Sequence, residues 1–194
     1  MTAKQRTIET SRSHLKYLKA IDMAANTTTL SLSAPISLSS LPALHPVLAF
    51  YAKYAKDFQD LANTPAESYY TRDAYINLPH GAFFTGRDRL WDFYKQMYGA
   101  FRANPIEQFY TLTVVSDAVG THTLHMEYVR GLHSHDNTTI TRVPQVFVYE
   151  IGPAAEGEGT DGLQIRGLRC YYDVGLMRAA AKAEGIVIKE FESE

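Results

Sequence analysis

The stretch Thr121–Leu132, THTLHMEYVRGL, decides the reading of this chain. Its residues alternate in character, the period of a β-strand with two differently dressed faces. Thr123, His125, Glu127 and Val129 share one face; Leu124, Met126, Tyr128 and Arg130 share the other. His125 and Glu127 then stand about 7 Å apart along the strand. A carboxylate beside an imidazole raises the imidazole's pKa, and an apolar pocket raises the carboxylate's, so both move toward neutral pH. Two ionisable groups on a buried face are costly unless they are used. This reading turns the His125–Glu127 face toward a pocket. It leaves Leu124, Met126 and Tyr128, with Tyr171, as an apolar outer surface suited to a homodimer through the sheet.

Around that strand the period stays at two. After Pro105 the pattern gives strands over Gln108–Asp117, Thr121–Leu132, Thr139–Ile151 and Leu163–Tyr172, with Pro144 marking an edge position or a bulge. His133–Thr138, HSHDNT, is a hairpin connection, and Gly152–Gly162 a flexible acidic loop. Asp173 caps a closing helix that runs to Glu184. Upstream the period is helical. Val47, Leu48, Tyr51, Tyr54, Ala55, Phe58 and Leu61 recur at three- and four-residue spacing over His45–Ala62, and Leu90, Trp91, Phe93, Tyr94, Met97, Tyr98 and Phe101 do so over Arg87–Arg102. Between them Glu67–Leu78 passes from a helical turn into a strand. The order predicts an α+β domain over residues 44–184, a curved, mostly antiparallel sheet packed against helices around a cone whose mouth suits a small molecule. Residues 1–43 read as a short helix and a Ser/Thr-rich extension, and 185–194 as a tail.

Composition narrows the function classes. The chain has 194 residues, 45% of them hydrophobic and 12% aromatic, with 13 tyrosines against 9 phenylalanines, which gives enough material for one core with amphipathic lining. A formal net charge of −2 lacks the basic footprint of a nucleic-acid binder. No apolar run reaches membrane-spanning length, and the N-terminus lacks the apolar core of a secretory signal. The lone Cys170 suits a reducing compartment, so a cytoplasmic protein is expected. His133-Ser-His135-Asp136 is short of the three or four converging ligands of a transition-metal site, and no phosphate-cradling glycine loop or G-x-S-x-G elbow is present; neither metal nor cofactor is expected.

Three pieces together resemble a known family. They are Asp73-Ala-Tyr-Ile-Asn-Leu-Pro with Thr85-Gly-Arg-Asp88 after it, the central strand with Glu127, and Leu168-Arg-Cys-Tyr-Tyr-Asp173 running into a helix. The set resembles the NTF2-like superfamily, in its SnoaL-like and limonene epoxide hydrolase-like branches, over roughly residues 45–180. The resemblance implies the cone fold and dimerisation through the sheet. In the hydrolase branch an inward Tyr and an Asn two residues later hold a water, positions matched by Tyr75 and Asn77. Glu127 matches the general acid, usually an Asp. His125 stands where an Arg is usual, and Cys170 where the water-activating Asp stands, a departure that takes away the water base. SnoaL-like isomerases and cyclases use a smaller set, which His125 with Glu127 would serve.

The expected function is cofactor-independent acid/base catalysis on a small apolar molecule such as a polyketide or terpenoid intermediate: isomerisation, cyclisation, dehydration or water addition. Glu127 and His125 would move protons, and Tyr75, Asn77, Cys170 and Tyr172 would bind substrate. The alternative is a non-catalytic NTF2-like binding or adaptor protein. Geometry separates them: an enclosed pocket with His125 and Glu127 at its floor favours the enzyme, a collapsed cone the adaptor.

Overall fold

Four long strands in an antiparallel meander carry the second half of the chain: β4 (Ile106–Ser116), β5 (His122–His133), β6 (Ile140–Pro153) and β7 (Leu163–Tyr172). This is seen in a computed structural model that describes residues 27–187. β1 (Thr28–Ser33) pairs antiparallel with β4 at one edge; β2 (Tyr70–Asn77) pairs parallel with β7, and β3 (Phe83–Thr85) with β2, at the other. The sheet order is β1-β4-β5-β6-β7-β2-β3. Register shifts in β4, β2 and between Glu150 and Ile151 bend the strands, as bulges do.

Helix α1 (Pro46–Asp57) and helix α2 (Arg87–Tyr98) cover the concave side; α3 (Val174–Ala183) follows β7. Their ends follow from sequence. Pro46 occupies the first helical position, where its missing N–H costs nothing, and His45 Nδ1 accepts the Val47 N–H at 3.2 Å. Gly86 precedes α2 at φ 100°, a conformation that favours glycine. Asp173 caps α3 by accepting the Leu176 N–H at 3.0 Å. Each apolar stripe is buried: Val47, Leu48, Phe50 and Tyr51 on α1, and Leu90, Trp91, Phe93 and Tyr94 on α2. Such a side chain contributes about 1.5–3 kcal/mol when fully removed from water.

The N-terminal expectation changes. Residues 28–43 are not a linker: they form the edge strand β1 and a 3-10 turn, Leu38–Ala43, that buries Leu41 completely. The helix expected before residue 27 and the tail beyond 187 lie outside the described residues. Pro144 sits inside the sheet, yet just past the last β6–β7 pair, Gln145 with Tyr172, so only β5 flanks it there. Among the described residues no helix is long and apolar enough to cross a membrane.

The phase of β5 is opposite to the expected one. Leu124, Met126, Tyr128 and Leu132 are at most 1% exposed, and Arg130 beside them is buried; His125 is exposed and Glu127 half-buried. The apolar row packs under α1 and α2 with the rest of the core, so the surface inferred for a homodimer is interior. Of that set only Tyr171 faces out.

Candidate functional site

The concave face is built in rungs that cross the sheet. Phe109, Tyr128, Gln145 and Tyr172 form one; Leu112, Met126, Phe147 and Cys170 the next; Val114, Leu124, Tyr149, Leu168 and Ile76 the third. Above them stand Tyr51, Tyr54 and Phe58, Tyr70 from β2, and Tyr94 and Tyr98 from α2, all buried. Tyr128, Phe147 and Tyr149 stack at 5.8 and 5.6 Å between ring centroids. Tyr54 and Tyr70 share a hydroxyl–hydroxyl bond of 2.7 Å. The interior is thus aromatic in bulk and polar at its points, which is why tyrosine outnumbers phenylalanine in this chain.

Burial, first of all causes, pushes the phenols of Tyr51, Tyr54, Tyr70, Tyr94, Tyr98, Tyr128 and Tyr149 above their ordinary pKa. They remain neutral donors and acceptors at physiological pH.

One charge sits among them. Arg130, 5% exposed, donates from Nη1 to Asn104 O at 2.6 Å and Asn104 Oδ1 at 2.7 Å, from Nε to Gln145 Oε1 at 3.1 Å, and from Nη2 to the Tyr128 hydroxyl at 3.2 Å. Its guanidinium carbon lies 5.2 Å from the Phe58 ring centroid, 5.0 Å from that of Tyr98 and 5.4 Å from that of Tyr128. Burial alone would lower its pKa; the phenolic oxygens of Tyr128, Tyr98 and Tyr51 outweigh that and raise it. The guanidinium keeps its proton.

A cleft of about 160 Å3 opens beside this cluster, lined by Phe58, Gln59, Tyr98, Phe101, Arg102 and Asn104 among others. Larger hollows lie on the outside: one of about 450 Å3 between the 62–67 loop and α2, one of about 420 Å3 over Glu107, Tyr110 and Arg142.

No protein-family model matches the chain, and no curated protein matches it. Solved structures do. Aln2 from a Streptomyces species superposes with a TM-score of 0.54 at 18% identity, over 69% of this chain and 92% of that one. A nuclear transport factor 2-like superfamily protein from Salmonella enterica serovar Typhimurium gives 0.54 at 10% identity, over 70% and 92%. The beta subunit of the benzoate 1,2-dioxygenase from Burkholderia mallei gives 0.52 at 14% identity, over 67% and 90%. The chain has the NTF2-like fold.

The NTF2-like sheet does gather four of the six residues singled out in the sequence, but on its outer side. One outer rung holds Thr113, His125, Val148, Arg169 and Asn77; another holds Thr123, Glu150, Gly167 and Tyr75; Glu127 lies between Thr111 and Val146. Glu127 is reached by the Thr111 hydroxyl at 3.5 Å. The Tyr75 hydroxyl donates to Glu150 Oε1 at 2.6 Å; burial first, and that carboxylate second, push its pKa up to about 12. These placements correct the inward orientation expected of His125, Glu127, Tyr75 and Asn77. The other two, Cys170 and Tyr172, belong to the concave face. Cys170, 2% exposed, directs its Sγ toward Asn77 O at 3.5 Å, and burial raises its thiol pKa, so it stays a thiol. Burial likewise raises Tyr172.

Sequence reasoning missed Arg130, Asn104 and Gln145. Arg130 stood in the quoted stretch, a cation in a row of Leu, Met and Tyr, and that mismatch was its signal. Asn104 and Gln145 carried none, since their roles come from the register that brings them to the guanidinium.

Proposed function

We propose that this NTF2-like protein binds a small organic molecule at the cleft beside its concave interior, as the non-catalytic alternative has it, with recognition by phenols, amides and Arg130. The observation that carries this reading is the make-up of the concave face. It presents seven buried tyrosines and one buried guanidinium, while the only proton-transfer pair suggested by the sequence stands on the other side of the sheet. An interior of neutral phenols donates and accepts hydrogen bonds but abstracts no proton. The fold itself is neutral on this point, since unrelated functions are built on it.

A second reading, cofactor-free isomerisation or cyclisation of a polyketide- or terpenoid-like substrate, draws on one observation. Arg130 and Tyr128 form a preorganised donor pair in a water-poor site, the kind of arrangement that stabilises a developing oxyanion. It would assign oxyanion stabilisation to those two residues and leave the base outside the described interior.

The test uses Trp91, the single tryptophan, whose ring packs 5.9 Å from Tyr70 and 6.3 Å from Phe58 at the core of the cone. Native mass spectrometry of the purified chain should reveal a co-purified small molecule, and adding it back to stripped protein should change Trp91 emission saturably. Conversion of that molecule to an isomer on incubation would favour the second reading. A stripped protein identical in mass and emission to the purified one would overturn both.

A further inference from the structure

We propose that Arg130 seats an anionic head group, a carboxylate, so that the molecule held at the cleft is an organic acid. This rests on the small-molecule reading above and names the chemical class of its ligand.

Among the described residues no carboxylate oxygen lies within 4.0 Å of the Arg130 guanidinium. Its four hydrogen-bond partners are all neutral oxygens. They occupy four of the five N–H groups a guanidinium carries. Buried charges are ordinarily paired, because an unpaired ion in a low-dielectric interior is costly. Three aromatic faces and a set of amide and phenol oxygens hold this one in place without cancelling it.

Phe58, Tyr98 and Asn104 touch the guanidinium and also line the cleft of about 160 Å3. Gln59 and Asn104, which both line the cleft, form a bracket beside the guanidinium. Gln59 Nε2 donates to Asn104 O and Oδ1, and Asn104 N donates to Gln59 Oε1, each at 3.3 Å. Those bonds are at the long end of the normal range, and Gln59 is exposed. An incoming carboxylate would take over Nη1 from the Asn104 side-chain oxygen. It would replace a neutral acceptor by a charged one, in a bond about twice as strong. The volume suits a head group; whole-ligand pockets run to about 300–1,000 Å3. The body of the acid would lie at the mouth, against Phe58 and Phe101. Arg102 at the rim adds a second positive charge, and the carboxylate of Asp60, also at the rim, is occupied by Asn63 Nδ2 at 2.9 and 3.1 Å.

The experiment titrates the full chain with phenylacetate and, as its neutral isostere, phenylacetamide, reading thermal protection and calorimetric affinity. Phenylacetate should bind saturably and at least roughly tenfold more tightly than the amide, and less tightly as salt is raised. Asn104→Asp places a carboxylate beside Arg130. It should raise the melting temperature of the unliganded protein and weaken phenylacetate by roughly tenfold or more, so that its advantage over the amide is lost. Gln59→Ala, at an exposed position, should fold normally, open the bracket and tighten phenylacetate; it decides the matter where Asn104→Asp fails to fold. Equal binding of acid and amide would overturn the anion seat while leaving small-molecule binding intact. Failure of both probes to bind wild type and Gln59→Ala would overturn the seat, and the co-purification experiment would then judge the broader reading by itself.

Discussion

Substituting Gly167 by Ala tests which way the outer face of the sheet points. Gly167 lies on β7 between Glu150 on β6 and Tyr75 on β2, and the Tyr75 ring crosses the gap to reach Glu150. A Cβ at Gly167 would stand 2.1 Å from Tyr75 Cε1 and 2.3 Å from Cζ, far inside contact distance. Only a residue without a side chain lets the ring lie across the strand, the way an aromatic neighbour covers a strand glycine. Alanine must push the ring off. Overpacking of this kind costs about 1–3 kcal/mol. The displaced hydroxyl also loses a charge-assisted bond worth about 1.5–3 kcal/mol when buried and less here, where the pair is half-exposed. Against this, alanine restricts the unfolded chain and returns about 0.4–1 kcal/mol. The net loss is about 1.5–3 kcal/mol, or a fall of about 3–12 °C in melting temperature for a chain of this size. Differential scanning calorimetry of wild type, Gly167→Ala, Tyr75→Ala and the double variant gives the assay. The double variant should cost clearly less than the two single changes added, because they damage one contact. Additive losses, or an unaltered melting temperature for Gly167→Ala, would refute the seating of Tyr75 and with it the assignment of that residue to the outer face.

Other outcomes follow from the same geometry. His125→Ala and Glu127→Gln, on the outer face, should each change stability by no more than about 0.5 kcal/mol and leave ligand affinity as it was; loss of binding in either, measured by calorimetry, would return the pair to the site. Cys170 should resist an aromatic disulfide reagent in the native protein and react fully in denaturant, so a fast native reaction would contradict its burial. His122 has its pKa lowered from 6.5, first by burial and then by His45, whose ring lies 5.8 Å away. The unfolded chain binds that proton more readily than the folded one, so stability should fall as pH drops through about 6.5 toward the lower folded value. His122→Gln should flatten that part of a urea-denaturation pH series, and an unchanged slope would remove His122 as its source.

The fold was legible because its elements announce themselves by period. The helical spacing from Val47 to Phe58 and the alternation through β4, β5, β6 and β7 place those elements within a few residues of their observed ends. β1 was missed for an instructive reason. Residues 27–43 look like a linker by composition, yet Leu30 and Leu32 alternate with threonine and serine, a strand's period, and both pack against the core. The phase of β5 failed more seriously. A strand's two faces differ by a shift of one residue, so a misjudged phase moves every side chain to the wrong side at once. Weighing His125 and Glu127 as functional placed them inside; Leu124, Met126 and Tyr128 outweighed them, because such residues are the ones found buried and an unpaired imidazole or carboxylate is not. The chemistry carried over by the family resemblance inherited the same error.

The charge balance of the interior also fixes how binding should respond to pH. If the head group is a carboxylate, three titrations could matter: those of the phenols, the guanidinium and the ligand. The buried phenols are raised by desolvation and stay protonated across the physiological range, and Arg130 is held in its charged form. Neither protein partner therefore changes state. Affinity for phenylacetate should follow the ligand's own ionisation alone, flat from about pH 6 to 8 and falling only near the range of an ordinary carboxylic acid, at about 4–5. An acid–base pair at the same site would impose a second inflection near neutrality. A calorimetric series over that range separates the two: a single inflection belongs to a seat made of arginine and phenols, and a neutral-pH inflection that persists in His122→Gln would mean that an ionisable group other than Arg130 faces the ligand.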